Sequence, residues 1–240
     1  MTPAVESGAR RSEQAASSAG AAERALAHLR EMLIGGRVAP GEAVSLRTLA
    51  RALGLSVTPV RSAVNRLAAE GALIVLPNRA VRVPVLSAET FREITTLRLL
   101  LEGYAAERAA ELITRTELQA ITRAELAFRR EYEADRPDCD RAVQLNRLLH
   151  FTLYRAARMP SLTAIIEGLW LRIGPVLNLD MRLDPRRLRS GTAVRAHARL
   201  VSALAARDPK RARAALAADI RAAARRVERL GLLDGHASRD

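Results

Sequence analysis

Apolar positions along the chain fall into three regimes. Over residues 1–20, MTPAVESGARRSEQAASSAG, they are small, scattered and without a period, which predicts a disordered tail. From Ala21 they recur at helical spacing. Leu26, Leu29, Leu33 and Ile34 share one face, and Gly35-Gly36 closes that helix. After a Pro40-Gly41 turn, Ser45 caps a short second helix whose inner face is Leu46, Leu49, Ala50 and Leu53, ended by Gly54. Ser56-Val57-Thr58-Pro59 opens a third helix, with Ser56 or Thr58 as cap and Pro59 in the first turn, where its missing N–H is harmless. Val60, Ala63, Val64 and Leu67 point inward, and the helix stops near Gly71. Two apolar stretches, Leu73–Leu76 and Val81–Val85, flank a Pro77-Asn78-Arg79-Ala80 tip and predict a β-hairpin.

Beyond Ser87 the spacing is that of long helices only, over roughly 88–112, 115–135, 138–158, 161–183, 186–207 and 209–231. Their starts are marked by Ser87, by Thr114 with Glu117 as a capping box, by Ser161 after Pro160, and by Asp184-Pro185 and Asp208-Pro209. Gly174-Pro175 should kink the fourth. The resulting expectation is a mainly α chain with a tail over 1–20, a first domain over 21–86, an all-α helical bundle over 87–232 and a frayed end over 233–240. With almost no linker at the boundary, the two domains should be tightly linked.

Composition narrows the class. Half of the chain is apolar, enough for a core, while aromatics make up only 3%, and the abundance of Ala, Leu, Arg and Glu favours helix. The single cysteine, Cys139, excludes a disulfide framework and fits a reducing compartment. No uninterrupted apolar run reaches the roughly 18 residues of a membrane span, and the N-terminus lacks a secretory apolar core. A cytoplasmic protein without membrane partners is expected. The net charge is +13, carried by Arg except for Lys210. It suggests a polyanionic partner, but its distribution is uneven: residues 21–84 carry a net +5 and residues 180–230 a net +9.

Three short helices followed by a hairpin make a winged helix-turn-helix. The third helix of such a unit enters the major groove with its N-terminal residues on base edges. Here these are Ser56, Val57, Thr58 and Arg61. Arg61 can meet a guanine with both guanidinium nitrogens. Arg66 lies further along, Arg47 approaches from the second helix, and Asn78 and Arg79 at the wing tip suit the minor groove or backbone. Residues 40–83 resemble the N-terminal domain of GntR-family bacterial transcriptional regulators. The likeness rests on Pro40-Gly41, Leu49-Ala50, Leu53-Gly54, Ser56, Thr58-Pro59-Val60-Arg61, Arg66-Leu67, Glu70-Gly71 and the Pro77/Arg79 wing. It implies operator DNA as partner. Two positions depart from the family: Val57 stands where an Arg is usual and Ala80 where a wing Gly is usual.

A second constellation lies in the bundle. Asn146 and His150 are one helical turn apart. His197 and Asp219 stand eleven residues either side of Asp208. In an antiparallel hairpin both would lie about 16 Å from the turn, level with each other. Two imidazoles, a carboxylate and an amide oxygen converging there could hold Zn²⁺, Ni²⁺ or Mn²⁺. Residues 88–231 resemble the FCD effector-binding domain of the FadR-type GntR subfamily, and six helices point to its VanR-like branch. Arg98-Leu-Leu-Leu-Glu102 with Ala105-Ala106 and Ala109-Ala110 matches the domain's start. Asn146 sits where the family has an Asp ligand and Asp219 where it has a His, while His150 and His197 match. The resemblance implies a homodimer that responds to a small carboxylate, through a divalent metal or without one.

Arg98 has two open roles: a fork for the effector's carboxylate, or an i,i+4 partner of Glu102. Trp170 is either core or ligand platform. No HExxH, GxSxG or phosphate-binding loop accompanies these residues, so a regulator is expected rather than an enzyme. An architectural protein that binds nucleic acid by charge alone is the remaining alternative.

Overall fold

The computed structural model describes residues 3–183 and 191–233 of the 240-residue chain. Helix α1 (Pro3–Ile34) begins far ahead of the expected Ala21. The expected disorder over 1–20 is therefore replaced by helix from Pro3. That segment carries five Ala, with Glu6, Arg10, Arg11, Glu13 and Gln14 among them, and their propensity favours helix there. Strand β1 (Ala43–Ser45), helix α2 (Leu46–Leu53) and helix α3 (Val57–Ala69) follow, then β2 (Ile74–Val75) and β3 (Ala80–Arg82). The strands form one antiparallel sheet in the order β1-β3-β2. β1 was not expected, because three residues show no period. Its existence depends on pairing with β3, Val44 opposite Val81.

Six helices complete the described chain: α4 (Ala88–Leu112), α5 (Arg115–Glu133), α6 (Cys139–Ala156), α7 (Pro160–Leu183), α8 (Thr192–Ala205) and α9 (Pro209–Arg229). Their starts follow local chemistry. Ser87 accepts from Thr90 N, Asp138 from Arg141 N and Asp208 from Arg211 N, and Thr114 with Glu117 forms the reciprocal capping box. The Asp184-Pro185 signal lies outside the described residues. Helix α7 runs unbroken through Gly174-Pro175. Leu233, expected as the first residue of a frayed end, is instead buried in one cluster with Phe91, Ile173 and Val227; residues 234–240 lie outside the described residues.

Helix α7 includes one stretch, Pro160–Leu179, apolar and long enough by composition to cross a membrane, with a mean hydropathy of 1.3. More than half of it is buried inside the fold, as befits a core helix: Ile166, Leu169, Trp170, Leu171, Ile173 and Val176 face the interior.

One cluster of apolar side chains runs through both domains, from Leu26, Leu33 and Val60 to Leu149, Tyr154 and Leu171. The junction is α1 against α7. A Cβ on Gly174 would lie 2.8 Å from Ile34 Cα, so only glycine permits this backbone approach. Gly36, left-handed at φ +61°, packs in the same way on Asn178, whose Nδ2 donates to Ile34 O at 2.6 Å. Arg30 of α1 bridges Glu70 of the first domain and Glu167 of α7.

Candidate functional site

On α3, Thr58, Arg61, Ser62 and Asn65 form an exposed face at i, i+3, i+4 and i+7. Ser56 is the helix cap by backbone geometry, exposed, with its hydroxyl making no capping bond. Arg47 is exposed on α2. Three of the proposed DNA contacts turn out to have structural work. Val57 packs against the core, which explains how an apolar residue is accommodated there. Arg66 is held by Glu23 of α1 at 2.7 Å. Asn78 Oδ1 accepts from Ala80 N and closes the wing turn, an Asx-turn that loop composition alone cannot reveal. The left-handed residue at the tip is Arg79, φ 61°, while Ala80 lies extended in β3. The missing wing glycine is therefore no obstacle. Ser62 and Asn65 escaped the sequence reading; their signal was the helical spacing from Arg61, and Asn is a natural partner for adenine.

The bundle holds a cavity with about 620 Å³ of non-atom space, its open mouth included, walled by Arg98, Asn146, His150, Trp170, Asn178, Asp219 and Arg226 among others. The α8–α9 hairpin sets His197 Nε2 3.6 Å from Asp219 Oδ2, and α6 brings His150 Nε2 to 3.3 Å from the same oxygen. One ligand atom from each of the three lies within 4.8 Å of the others. Asn146 lines the same cavity. His150 and His197 are almost fully buried, and neither nitrogen of His197 has a hydrogen-bond partner among the described residues. Such orphaned buried nitrogens are rare unless something else occupies them.

The spacing suits a metal. Bonds of about 2.1 Å at tetrahedral angles put adjacent ligand atoms roughly 3.4 Å apart. Charge agrees with this. Burial holds the His150 imidazole below its usual range, outweighing the pull of Asp219, and so keeps it neutral. At Asp219 burial acts upward, but His197 and His150 together hold the carboxyl well below the usual range. A neutral His150 imidazole and an ionised Asp219 carboxylate are therefore ready as ligands.

Beneath this cluster lies a buried polar chain. Arg98 grips Glu102 through Nε at 2.6 Å and Nη2 at 3.2 Å, and Trp170 Nε1 donates to Glu102 at 3.1 Å. Tyr154 donates to Glu102 at 2.6 Å and stands 3.1 Å from His150 Nδ1. The two roles of Arg98 are thus not exclusive. It pairs with Glu102 and also walls the cavity, its guanidinium 5.1 Å from the Trp170 ring centre. Trp170 likewise serves both core and cavity. The basic excess of the last helices is partly spent in packing: Arg207 donates to Glu111 O and Ile113 O at the end of α4, and Arg213 pairs with Glu107.

Comparison with known proteins matches residues 21–83 to bacterial regulatory proteins of the gntR family and residues 93–222, more than half the chain, to the FCD domain. The chain belongs to the GntR family and carries an FCD domain. It is 34% identical to the HTH-type transcriptional regulator McbR of Escherichia coli (strain K12) over 79% of this chain and 84% of McbR. It is 31% identical to the Nta operon transcriptional regulator of Aminobacter aminovorans over 56% of this chain and 62% of that protein. The solved structure of E. coli McbR/YncC superposes with a TM-score of 0.80 at 29% identity, covering 88% of this chain and 98% of the other. A GntR transcriptional regulator from Rhodococcus sp. RHA1, TM-score 0.69 and 20% identical, covering 86% of this chain and 97% of the other, shares the fold. This GntR/FCD protein is a DNA-binding transcriptional regulator and not an enzyme.

Proposed function

We propose that this regulator is a cytoplasmic homodimer whose grip on a two-fold operator is set by a small organic acid in the FCD cavity, held there beside a divalent transition metal. The observation that carries this reading is the convergence of His150, His197 and Asp219, of which His150 and Asp219 line a cavity whose other walls present Arg98, Asn146 and Arg226. His150, His197 and Asp219, with Asn146 beside them, would hold Zn²⁺, Ni²⁺ or Mn²⁺, which would supply a Lewis-acidic point for a carboxylate oxygen. Arg98 supplies a guanidinium for the remaining negative charge. The neutral Asn146 amide is a weaker donor than a carboxylate, so the acidic ligand of this set is Asp219. Arg61, Thr58, Ser62 and Asn65 would face the operator's major groove. An exposed apolar stripe on α4, Leu97, Leu100 and Tyr104, supports pairing of two copies.

The test combines metal analysis with thermal shift. Dialysed protein should retain Zn²⁺, Ni²⁺ or Mn²⁺ near one equivalent by ICP-MS, and His197→Ala should lose it. A screen of small carboxylic acids, with and without added metal, should raise Tm by mass action. Carboxylates that stabilise equally without metal would favour a metal-free effector site built on Arg98 and Arg226. Less than about a tenth of an equivalent of metal, with no uptake of added Zn²⁺ or Ni²⁺, rules the metal out.

A further inference from the structure

The buried chain behind His150 has a proton bookkeeping of its own. Glu102 is fully buried and faces the Arg98 guanidinium, so as a carboxylate it only accepts hydrogen bonds. Tyr154 has one proton. The 2.6 Å separation between its oxygen and Glu102 Oε2 places that proton between them, because two bare oxygens would repel at that distance. Toward His150 the Tyr154 oxygen can therefore only accept. The 3.1 Å contact is then a hydrogen bond donated by His150 Nδ1. The other nitrogen, Nε2, is the one that faces Asp219 and shares its oxygen with His197.

We infer that Tyr154, anchored by Glu102 and Arg98, is a positioning residue that fixes His150 as the Nδ1–H tautomer and so presents the Nε2 lone pair to Asp219 and His197. The inference deepens the metal reading above, which supplies the reason for such an arrangement. Ligating histidines as a rule donate their second nitrogen to a neighbouring acceptor, and loss of that partner weakens metal binding by about 10–100-fold. Nδ1 carries a proton in either charge state of the ring, and the Nε2 lone pair is presented by the neutral one. Without a cation, a lone pair on Nε2 and a carboxylate oxygen 3.3 Å away repel one another. The relay thus stores a mismatch that a bound cation relieves. His197 has no such backing: among the described residues neither of its nitrogens is hydrogen-bonded. Of the two imidazoles, only His150 has its ligating nitrogen chosen in advance. Arg98 stands at the far end of the relay and on the cavity wall, so the residue that orients Glu102 is also placed to touch the effector.

The test uses full-length protein labelled with ¹⁵N-histidine. Long-range ¹H–¹⁵N spectra are taken of the metal-free protein under mildly alkaline conditions, with each histidine assigned by substitution. The wild type should show His150 with a proton on Nδ1 and a bare Nε2, and added Zn²⁺ should shift Nε2 while Nδ1–H persists. Tyr154→Phe keeps the ring packed on Phe151 and Trp170 and removes the hydroxyl that accepts from His150 and donates to Glu102. Its His150 should move to the Nε2–H form, donating to Asp219, and its Zn²⁺ affinity should fall tenfold or more. Thr122→Val, which removes a hydroxyl that donates to Leu118 O on α5, should change neither. A proton on Nε2 in the metal-free wild type overturns the inference, whether or not the variant folds. So does a Tyr154→Phe protein with the wild-type tautomer. A wild type that shows the Nδ1–H form but takes up no Zn²⁺ upholds the relay and sinks the metal reading alone.

Discussion

Two glycines on α7 offer a paired experiment on the joint between the domains. A Cβ built on Gly174 would stand 2.8 Å from Ile34 Cα, 3.0 Å from Ile34 O and 3.1 Å from Leu33 O. All three are backbone atoms, so no side-chain rotation relieves the clash. Carbon–carbon contacts are comfortable at about 3.5–4.0 Å, so α1 must retreat by roughly 0.7 Å or more. Overpacking of this kind costs about 1–3 kcal/mol. Retreat also strains the Asn178 Nδ2 bond to Ile34 O, 2.6 Å long, worth about 1 kcal/mol. Against this, Ala in place of Gly in a helix interior gains about 0.8–1.0 kcal/mol. The net for Gly174→Ala is a loss of about 1–3 kcal/mol. Gly168, on the same helix, has nothing within 4 Å of a built Cβ, so Gly168→Ala should keep the whole propensity gain.

At about 2–4 °C per kcal/mol for a chain of this size, Gly168→Ala should raise Tm by roughly 2–4 °C and Gly174→Ala should lower it by about 2–12 °C. Trp170 is the only tryptophan, so its emission follows melting of the FCD domain, and amide exchange at residues 31–36 follows release of α1. Gly174→Ala melting at or above Gly168→Ala, with unchanged exchange at α1, would refute the steric account. Because Asn178 also walls the cavity, the same variant should weaken the response of operator binding to effector.

Other expectations follow from single sites. Arg61→Ala should lose about 1–3 kcal/mol on specific DNA and relax one base position. Arg66→Ala, already paired with Glu23, should lose less and evenly across sequences; a mobility shift with salt titration separates them, and an unaffected Arg61→Ala would dismiss the docking. Glu117 is held down to about 2, first by its hydrogen bonds from Arg158 and then by the Thr114 cap. A lowered folded-state pKa stabilises above the unfolded value near 4.5 and is lost as pH falls from there through about 2. Glu117→Gln should flatten that part of the stability profile in acid titrations followed by circular dichroism. Leu100→Glu on the exposed α4 stripe should shift light-scattering mass toward the monomer; a mass unchanged from wild type would place the pairing surface elsewhere.

What was legible in the chain was what neighbours in sequence decide. Helix starts at Ser87, Thr114 and Asp208 are set by a capping side chain and the amides two or three residues on, so they could be read directly. Facing of His197 and Asp219 followed from equal distances to one turn. The wing was harder. β1 exists only through its pairing with β3, and the role of Asn78 and the left-handed Arg79 depend on a turn closed in three dimensions. Val57 reads as a groove residue because it opens α3; that its half-buried side chain also packs against the core shows only in three dimensions.

Periodicity, caps and motif spacing are local, so the order of residues specifies a winged helix-turn-helix joined to a six-helix bundle and the polar residue types each carries. Which of those residues meet is set by packing. Glu102 meets Tyr154 and Trp170 across 52 and 68 positions, and Asn178 meets Ile34 across 144. Contacts at such separations come from packing many elements at once. No local pattern encodes them, and they turn a set of polar residues into an ordered relay beside a cavity.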